Sequence, residues 1–242
     1  MARATILPRE RLIVALDVPD GAAARRLIAA TAADAAIYKL GLELFLSGDF
    51  FTLLDELHGT GKQVFADLKL FDVPNTVAAA VRQLVRRRVA FVTVHGNQAM
   101  MAAAAEAARD SATRVLAVTA LTSLDQGDLD DLGFRCAIAD LVLSRARRAL
   151  AAGCAGVVSS GLEVAALRRE IDDRLIAVCP GIRPVINDEA AAPDDQKRTV
   201  DIKQALDNGA DYLVIGRPII HAANPTAAAA EIQRQIVAAL AQ

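Results

Sequence analysis

The stretch Val64-Phe65-Ala66-Asp67-Leu68-Lys69-Leu70-Phe71-Asp72-Val73-Pro74-Asn75-Thr76 joins a buried-strand pattern to a cluster of charges. Its apolar first half predicts a β-strand. Asp67, Lys69 and Asp72 then place three charges within six residues, with Asp72 just past the strand in the connection to the next helix. Side chains alternate along a strand, so Asp67 and Lys69 are predicted to point the same way. Because buried ionised groups are costly unless they pair, charges at the end of a buried strand indicate a reaction site.

Similar short runs rich in Val, Ile and Leu recur along the chain, as expected for strands buried on both faces of a parallel sheet. The predicted strands are Leu12–Asp17, Ala36–Leu40, Gln63–Leu68, Ala90–His95, Arg114–Thr119, Ala155–Ser159, Leu175–Cys179 and Tyr212–Ile215. The helices predicted between them are Gly21–Ala33, Phe45–His58, Thr76–Arg88, Gln98–Asp110, Ile138–Ala152, Leu162–Ile171, Ile202–Asn208 and Thr226–Leu240.

Eight strands that each precede a helix predict an α/β fold, a single (β/α)8 TIM barrel. The 242 residues fit one domain over positions 1–242, and no linker rich in Gly, Ser or Pro divides them. An open doubly wound sheet is the alternative. That alternative is disfavoured because no G-x-G-x-x-G follows the first strand, where a dinucleotide-binding fold needs it.

Several helix ends carry their own signals. Asp20 and Asn75 are predicted N-caps, and Asn224-Pro225 fits an N-cap followed by proline at the first helical position. Gly153 and Gly209 follow helical runs and are predicted to adopt the left-handed conformation that ends a helix.

Composition excludes several classes of protein. A formal net charge of -2 argues against a nucleic-acid-binding protein, which needs a basic face. No run of 18 or more apolar residues predicts a membrane helix, and Met1 to Arg11 lacks a signal-peptide pattern. The three cysteines lack a C-x-x-C spacing, which fits reduced thiols and predicts a cytoplasmic location.

In a barrel of this kind the chemistry lies at the carboxyl ends of the strands. Nearly every predicted strand ends there in a polar or backbone-exposing residue. These residues are Asp17, Lys39, Asp67 with Lys69, His95, Thr119, Ser159 with Ser160, Pro180-Gly181, and Gly216-Arg217. Scattered surface polarity would not be confined to one end so consistently.

Glycine and arginine follow the last two strands, as Gly181-Ile182-Arg183 and Gly216-Arg217. Glycine lets backbone N–H groups approach an oxyanion, and arginine matches phosphate oxygens, so a phosphate site is predicted. Turn glycines with surface arginines are the alternative. The polar, aperiodic segment 184–198 beside this site is predicted to be a lid loop rather than a disordered excursion.

Lys39, Asp67 and Lys69, with Asp72 nearby, form the predicted charged cluster, in which alternating signs keep all four groups ionised. A purely structural ion-pair network at the barrel mouth is the alternative. His95 is either a core histidine or a site residue. The chain's histidines show no metal-ligand spacing, so no metal site is predicted.

Asp67, Lys69, Asp72, Val73, Pro74 and Thr76 match the pattern D-x-K-x-x-D-[IV]-P-x-T. Supporting motifs are Tyr38-Lys39-Leu40-Gly41, Leu121-Thr122-Ser123 and Pro180-Gly181-Ile182-Arg183-Pro184. Through these motifs the chain resembles the orotidine 5'-monophosphate decarboxylase family over almost its whole length, from Ile13 to Pro218. The resemblance implies decarboxylation of orotidylate to uridylate, the last step of de novo pyrimidine synthesis, without metal or organic cofactor.

The resemblance also implies a role for each matching residue. Lys69 would protonate C6, with Asp67 near the substrate carboxylate. The family's homodimeric assembly would bring Asp72 and Thr76 into the neighbouring subunit's site. The other implied substrate-binding residues are Asp17 and Lys39 for ribose, Thr122 for the pyrimidine, and Arg183, Gln196, Gly216 and Arg217 for the phosphate.

Three other functions remain open. One is a magnesium-dependent sugar-phosphate decarboxylase or aldolase of the same superfamily. Such enzymes resemble this chain in D-x-K-x-x-D but usually have glutamate in place of Lys39 and Asp-Ala-Gly in place of Asp72-Val73-Pro74. The second is a non-catalytic nucleotide-binding barrel, which would bind nucleotide without turnover. The third is a phosphosugar isomerase, which would need a carboxylate base near a neutral histidine or similar electrophile, and His95 is the one candidate for that histidine.

Overall fold

The computed structural model describes residues 6–184 and 197–241, and within them eight parallel strands close into a barrel. Each strand pairs with the next along the chain, and the first pairs with the eighth. The (β/α)8 prediction is therefore confirmed. The strands are β1 (Leu12–Ala15), β2 (Ile37–Leu40), β3 (Gln63–Leu70), β4 (Phe91–Val94), β5 (Arg114–Val118), β6 (Gly156–Val158), β7 (Ile176–Cys179) and β8 (Tyr212–Ile215).

Helices surround the barrel, and a short 3-10 helix, Pro8–Glu10, precedes β1. The α-helices are α1 (Gly21–Thr31), α2 (Leu42–Ser47), α3 (Phe50–Gly59), α4 (Pro74–Arg86), α5 (Gln98–Ala108), α6 (Gln126–Asp131), α7 (Ile138–Ala151), α8 (Val164–Glu170), α9 (Ile202–Asp207), α10 (Arg217–Ile220) and α11 (Pro225–Leu240). Among the helices of these ranges, none combines the length and the apolar character that crossing a membrane requires.

The core has two layers. Alternate residues of the strands fill the barrel interior, where Phe91 packs edge-on against Phe65 and Tyr212. The other residues of each strand pack outward against the apolar faces of the helices. Thus positions two residues apart on a strand face the same layer, and the interior positions lead upward to the carboxyl ends of the strands.

Most predicted helix ends are confirmed. The carboxylate of Asp20 accepts from the Ala23 N–H, and the Asn224 side chain caps α11 ahead of Pro225. Gly153 and Gly209 have φ of 84° and 97°, in the left-handed region that ends a helix.

Two helix predictions are wrong. Phe45–His58 is not one helix but parts of α2 and α3, because Gly48 takes φ of 90° and ends the first of them. Asn75 is not an N-cap, because Pro74 already occupies the first helical position, which suits its fixed φ and missing N–H. The prediction omitted α6 and α10, which are polar or only four residues long and lack a clear apolar period.

Candidate active site

A cavity of about 510 Å³ opens at the carboxyl ends of the strands, a volume in the range of small-molecule sites. Eight of the residues predicted from sequence line it. They are Asp17, Lys39, Asp67, Lys69, Thr122, Arg183, Gly216 and Arg217. The barrel therefore brings to one cavity residues that are up to 200 positions apart in the chain.

The charged floor of the cavity continues the interior positions of the first strands. Ala15, Ile37 and Phe65 fill the barrel below, and Lys39 and Asp67 come two residues further along their strands. Both charged side chains are nearly buried, at 10% and 11% exposure, whereas Asp17 is half exposed above them. Because Lys39 and Asp67 are largely shielded from water, their charges are stable only when paired.

Asp67 is the centre of this network. Its Oδ2 lies 2.9 Å from Lys69 Nζ and 3.5 Å from Lys39 Nζ, and Lys39 Nζ lies 2.7 Å from Asp17 Oδ1. The other oxygen, Oδ1, accepts a hydrogen bond of 2.9 Å from the hydroxyl of Thr93, which is fully buried. Every oxygen of the buried carboxylate thus has a partner, as burial of a charge requires.

Lys69 has a strained backbone. Strand β3 shifts register against β4 between Ala66 and Leu70, and within this bulge Lys69 takes φ of 46°. A side chain in the left-handed region costs about 1 kcal/mol or more, and bulges re-aim side chains beside functional sites. The Lys69 N–H donates to Thr93 Oγ1 at 2.9 Å, so the same threonine supports both Asp67 and Lys69. The expected meeting of Asp67 and Lys69 occurs, but through a bulge rather than uninterrupted alternation.

Asp67 and Lys39 each favour the charged form of the other. Burial alone would lower the pKa of Lys39, but the carboxylates of Asp67 and Asp17 outweigh it and raise that pKa above its usual value. Burial alone would raise the pKa of Asp67, but Lys39 and Lys69 outweigh it and lower that pKa. Asp67 and Lys39 therefore both remain ionised across the physiological range.

Arginine and glycine residues line another part of the cavity, where glycine leaves the backbone accessible. Arg183 follows β7, and Gly216 and Arg217 follow β8 at the start of α10. Gly181 takes φ of 74°, a conformation that favours glycine. His221, at the end of α10, also lines the cavity. No apolar period marks α10 along the chain, so His221 was not predicted as a site residue.

Asp72, Thr76 and His95 do not line this cavity. Asp72 and Thr76 are exposed outside it, at the start of α4, and Asp72 is bonded to the Val73 N–H. Gln196 and most of the predicted lid at 184–198 lie outside the described residues. His95 packs edge-on against Phe71 rather than lining the cavity. Burial lowers the pKa of His95, and the charges of Arg145 and Lys69 lower it further.

Within residues 6–184 and 197–241, no group of three or more His, Cys, Asp or Glu side chains is arranged to hold a metal ion.

The chain matches known proteins over nearly its whole length. Residues 10–232 match the model of the "Orotidine 5'-phosphate decarboxylase / HUMPS family". A protein of Methylococcus capsulatus named orotidine 5'-phosphate decarboxylase is 59% identical over 94% of this chain and 92% of its own length. One of the same name from Stenotrophomonas maltophilia is 46% identical over 100% of this chain and 99% of its own.

A solved structure agrees with these sequence matches. The crystal structure of orotidine 5'-phosphate decarboxylase from Lactobacillus acidophilus superposes with a TM-score of 0.79 at 32% identity. The superposition covers 94% of this chain and 99% of that one.

The Thr93 hydroxyl forms two hydrogen bonds, donating to Asp67 Oδ1 and accepting from the Lys69 N–H. Thr93→Val keeps the shape but leaves Asp67 Oδ1 and the Lys69 N–H without their bonds. We expect the free energy of unfolding to fall by about 1–3 kcal/mol in urea titrations. Thr52→Val on the exposed face of α3 is the matched control and should change it by less than about 0.5 kcal/mol. Equal stability of the two variants would contradict the role given to Thr93.

Proposed function

Because the chain belongs to the orotidine 5'-phosphate decarboxylase / HUMPS family, we propose how the residues of its cavity act on their substrate. The chain catalyses the decarboxylation of orotidine 5'-monophosphate (OMP) to uridine 5'-monophosphate (UMP) in pyrimidine biosynthesis. The name of the matched family joins orotidine 5'-phosphate decarboxylase with HUMPS, and it is the naming of the 59% and 46% identical relatives that favours OMP. The observation that carries the proposed mechanism is the lysine ammonium that Asp67 holds inside the cavity.

Lys69 is proposed as the proton donor. When the bond from C6 to the substrate carboxylate breaks, its electron pair stays in an sp² orbital at C6, where the ring cannot delocalise it. An ammonium fixed near C6 stabilises this charge and then transfers a proton to it as carbon dioxide leaves. The Lys69 side chain lines the cavity, is 35% exposed and is directed by its bond to Asp67, which fits this role.

Asp67 is proposed to act on the substrate carboxylate as well as on Lys69. Two carboxylates about 4 Å apart repel each other by roughly 4 kcal/mol at an effective dielectric of 20. Loss of carbon dioxide relieves that repulsion, because the product has no carboxylate. Since this form of ground-state stress is a contested source of rate, we give the larger share to stabilisation by the preorganised ammonium.

The remaining residues are proposed to bind the parts of OMP that do not react. Asp17 and Lys39 would hold the ribose hydroxyls, and Thr122 would meet the pyrimidine. The proposed phosphate-binding residues are Arg183, Gln196, Gly216 and Arg217. Binding energy at the phosphate then positions C6 against Lys69 and raises kcat as well as affinity.

We propose a homodimer in which Asp72 and Thr76 complete the neighbouring site. Phe71 and Val73 flank Asp72 and are 67% and 62% exposed, which is unusual for apolar side chains of this size. A second copy packed on this segment would bury both and carry Asp72 toward the partner's Lys69. A further carboxylate there would help to hold the ammonium in its charged form.

A cytoplasmic location is also proposed. All three cysteines, Cys136, Cys154 and Cys179, are free thiols, as is usual in a reducing compartment. Burial raises the pKa of Cys154 to about 12, so this thiol is unreactive and serves as a small core residue.

The proposed function is tested with purified protein, OMP and EDTA, by following the loss of substrate absorbance. We expect turnover to be unchanged by the chelator and Lys69→Ala to lower kcat by at least about 1,000-fold, because the ammonium acts in the transition state. Lys203→Ala, on the exposed face of α9, is the control and should retain full activity.

Each alternative has its own outcome in this assay. Loss of turnover with EDTA, restored by magnesium, would indicate the metal-dependent sugar-phosphate chemistry. Nucleotide binding without turnover would indicate a non-catalytic barrel. A Lys69→Ala variant as active as the Lys203→Ala control would contradict the proposed proton donor.

Shared sites in a homodimer are tested by mixing two inactive variants. Lys69→Ala and Asp72→Ala are each expected to be nearly inactive, but a mixed dimer contains one site with both native residues. After equal amounts exchange subunits, half of the dimers are mixed and half of their sites are intact, which predicts about one quarter of wild-type activity. No recovery, with subunit exchange verified by native mass spectrometry, would show that each subunit completes its own site.

A further inference from the structure

The backbone that follows β5 is held in an unusual way. Four consecutive carbonyl oxygens, those of Thr119 to Thr122, all accept hydrogen bonds from basic residues or their backbone. Arg145 Nη1 donates to the Thr119 oxygen at 2.6 Å, and Arg198 Nη2 donates to the oxygens of Ala120 and Leu121 at 3.2 and 2.9 Å. The N–H groups of Lys197 and Arg198 donate to the Thr122 oxygen at 3.1 and 3.2 Å.

These bonds tie the carbonyl groups to residues outside the cavity lining. Ala120, Leu121 and Thr122 line the cavity, whereas Arg145, Lys197 and Arg198 do not. The bonding capacity of the four oxygens is therefore used by groups that are not part of the cavity lining. We infer that the segment Ala120–Thr122 meets a ligand with its side chains and not with its carbonyl oxygens. Such a wall suits a ligand that itself carries carbonyl oxygens, because two sets of carbonyl oxygens would repel each other.

Arg198 is in turn fixed by a second set of contacts. It is 9% exposed and forms an ion pair with Glu163, while its own carbonyl accepts from the Ser160 hydroxyl at 3.2 Å. The second oxygen of Glu163 accepts from Ser159 Oγ at 2.8 Å, and Thr119 Oγ1 donates to Ser159 at 3.1 Å. Burial raises the pKa of Glu163, and the Arg198 charge opposes that rise. The contacts thus join β5, β6 and the residues after position 196 behind the cavity wall.

We propose that Arg198, held by Glu163, is a positioning residue that sets how the Ala120–Thr122 segment receives the pyrimidine base. The inference rests on the proposed function, in which Thr122 meets a ring whose C2 and C4 carry carbonyl oxygens. Arginine is needed because one planar guanidinium reaches the carboxylate and two carbonyls together, which a lysine ammonium cannot do in the same geometry. Arg198 acts on the base only through the segment and never touches substrate.

The test uses two ligands that differ only in the base. Calorimetric titration of the full-length protein with UMP and with ribose 5-phosphate separates effects on the pyrimidine from effects on the sugar and phosphate. For Arg198→Lys we expect affinity for UMP to fall about tenfold and affinity for ribose 5-phosphate to change less than twofold. Arg217→Ala should weaken both ligands, because it removes a proposed phosphate contact. Arg174→Lys, which alters an exposed arginine–carboxylate pair, is the matched control and should change neither.

A merely structural role for Arg198 would weaken both ligands together, and either that result or unchanged binding of UMP would overturn the proposal. Glu163→Gln provides a second variant if Arg198→Lys does not fold, and it should show the same selective loss for UMP at smaller size. Wild-type protein that fails to decarboxylate OMP would contradict the proposed function. Wild-type turnover with no selective loss in either variant would contradict only the role of Arg198.

Discussion

The buried carboxylate of Asp67 is the contact on which the arrangement of charges at the barrel mouth depends. It lies between Lys69 at 2.9 Å and Lys39 at 3.5 Å, and without it two ammonium groups would face each other at the end of an apolar barrel. Breaking a buried pair of this kind typically costs about 3–5 kcal/mol, because the remaining charge loses its partner. The same contact directs the Lys69 side chain, which lines the cavity, so stability and the proposed chemistry depend on one carboxylate.

The barrel supplies what this contact requires from four neighbouring strands. Asp17 follows β1, and the next three strands, β2, β3 and β4, carry Lys39, Asp67 and Thr93. The order of the parallel strands alone therefore brings these four residues together. The bulge in β3 then moves Lys69 to φ of 46°, and the Thr93 hydroxyl bonds both to its N–H and to Asp67. Backbone strain at a proposed catalytic residue is thus offset by a hydrogen bond from the adjacent strand. On the other side of the cavity, Arg198 and Arg145 hold a segment of wall by its carbonyl oxygens.

Local pattern was enough to predict the strands and the main charged residues, because short apolar runs and polar strand ends are properties of neighbouring positions. All eight predicted strands overlap those observed. The bulge at Lys69, the part played by Thr93 and the contacts of Arg198 depend on register between strands and on residues far apart in the chain, which periodicity does not encode. Thr93 was within reach, since it lies two residues after the interior Phe91 on a predicted strand. The prediction of one helix over Phe45–His58 is an error of a different kind. The apolar pattern continues across Gly48, although the left-handed conformation of this glycine ends α2.

The most direct measurement is a ¹³C NMR titration of the Asp67 carboxyl group in the folded protein, assigned by its loss in Asp67→Asn. Lys39 and Lys69 outweigh burial and hold the pKa of Asp67 below its ordinary value of 3.8. A lowered pKa stabilises the folded state above about pH 4, and this stabilisation is lost as the pH falls through the folded-state value. We expect the midpoint of the carboxyl titration to lie below 3.8. A midpoint at or above 3.8 would show that burial prevails and that Asp67 does not hold the two lysines as described.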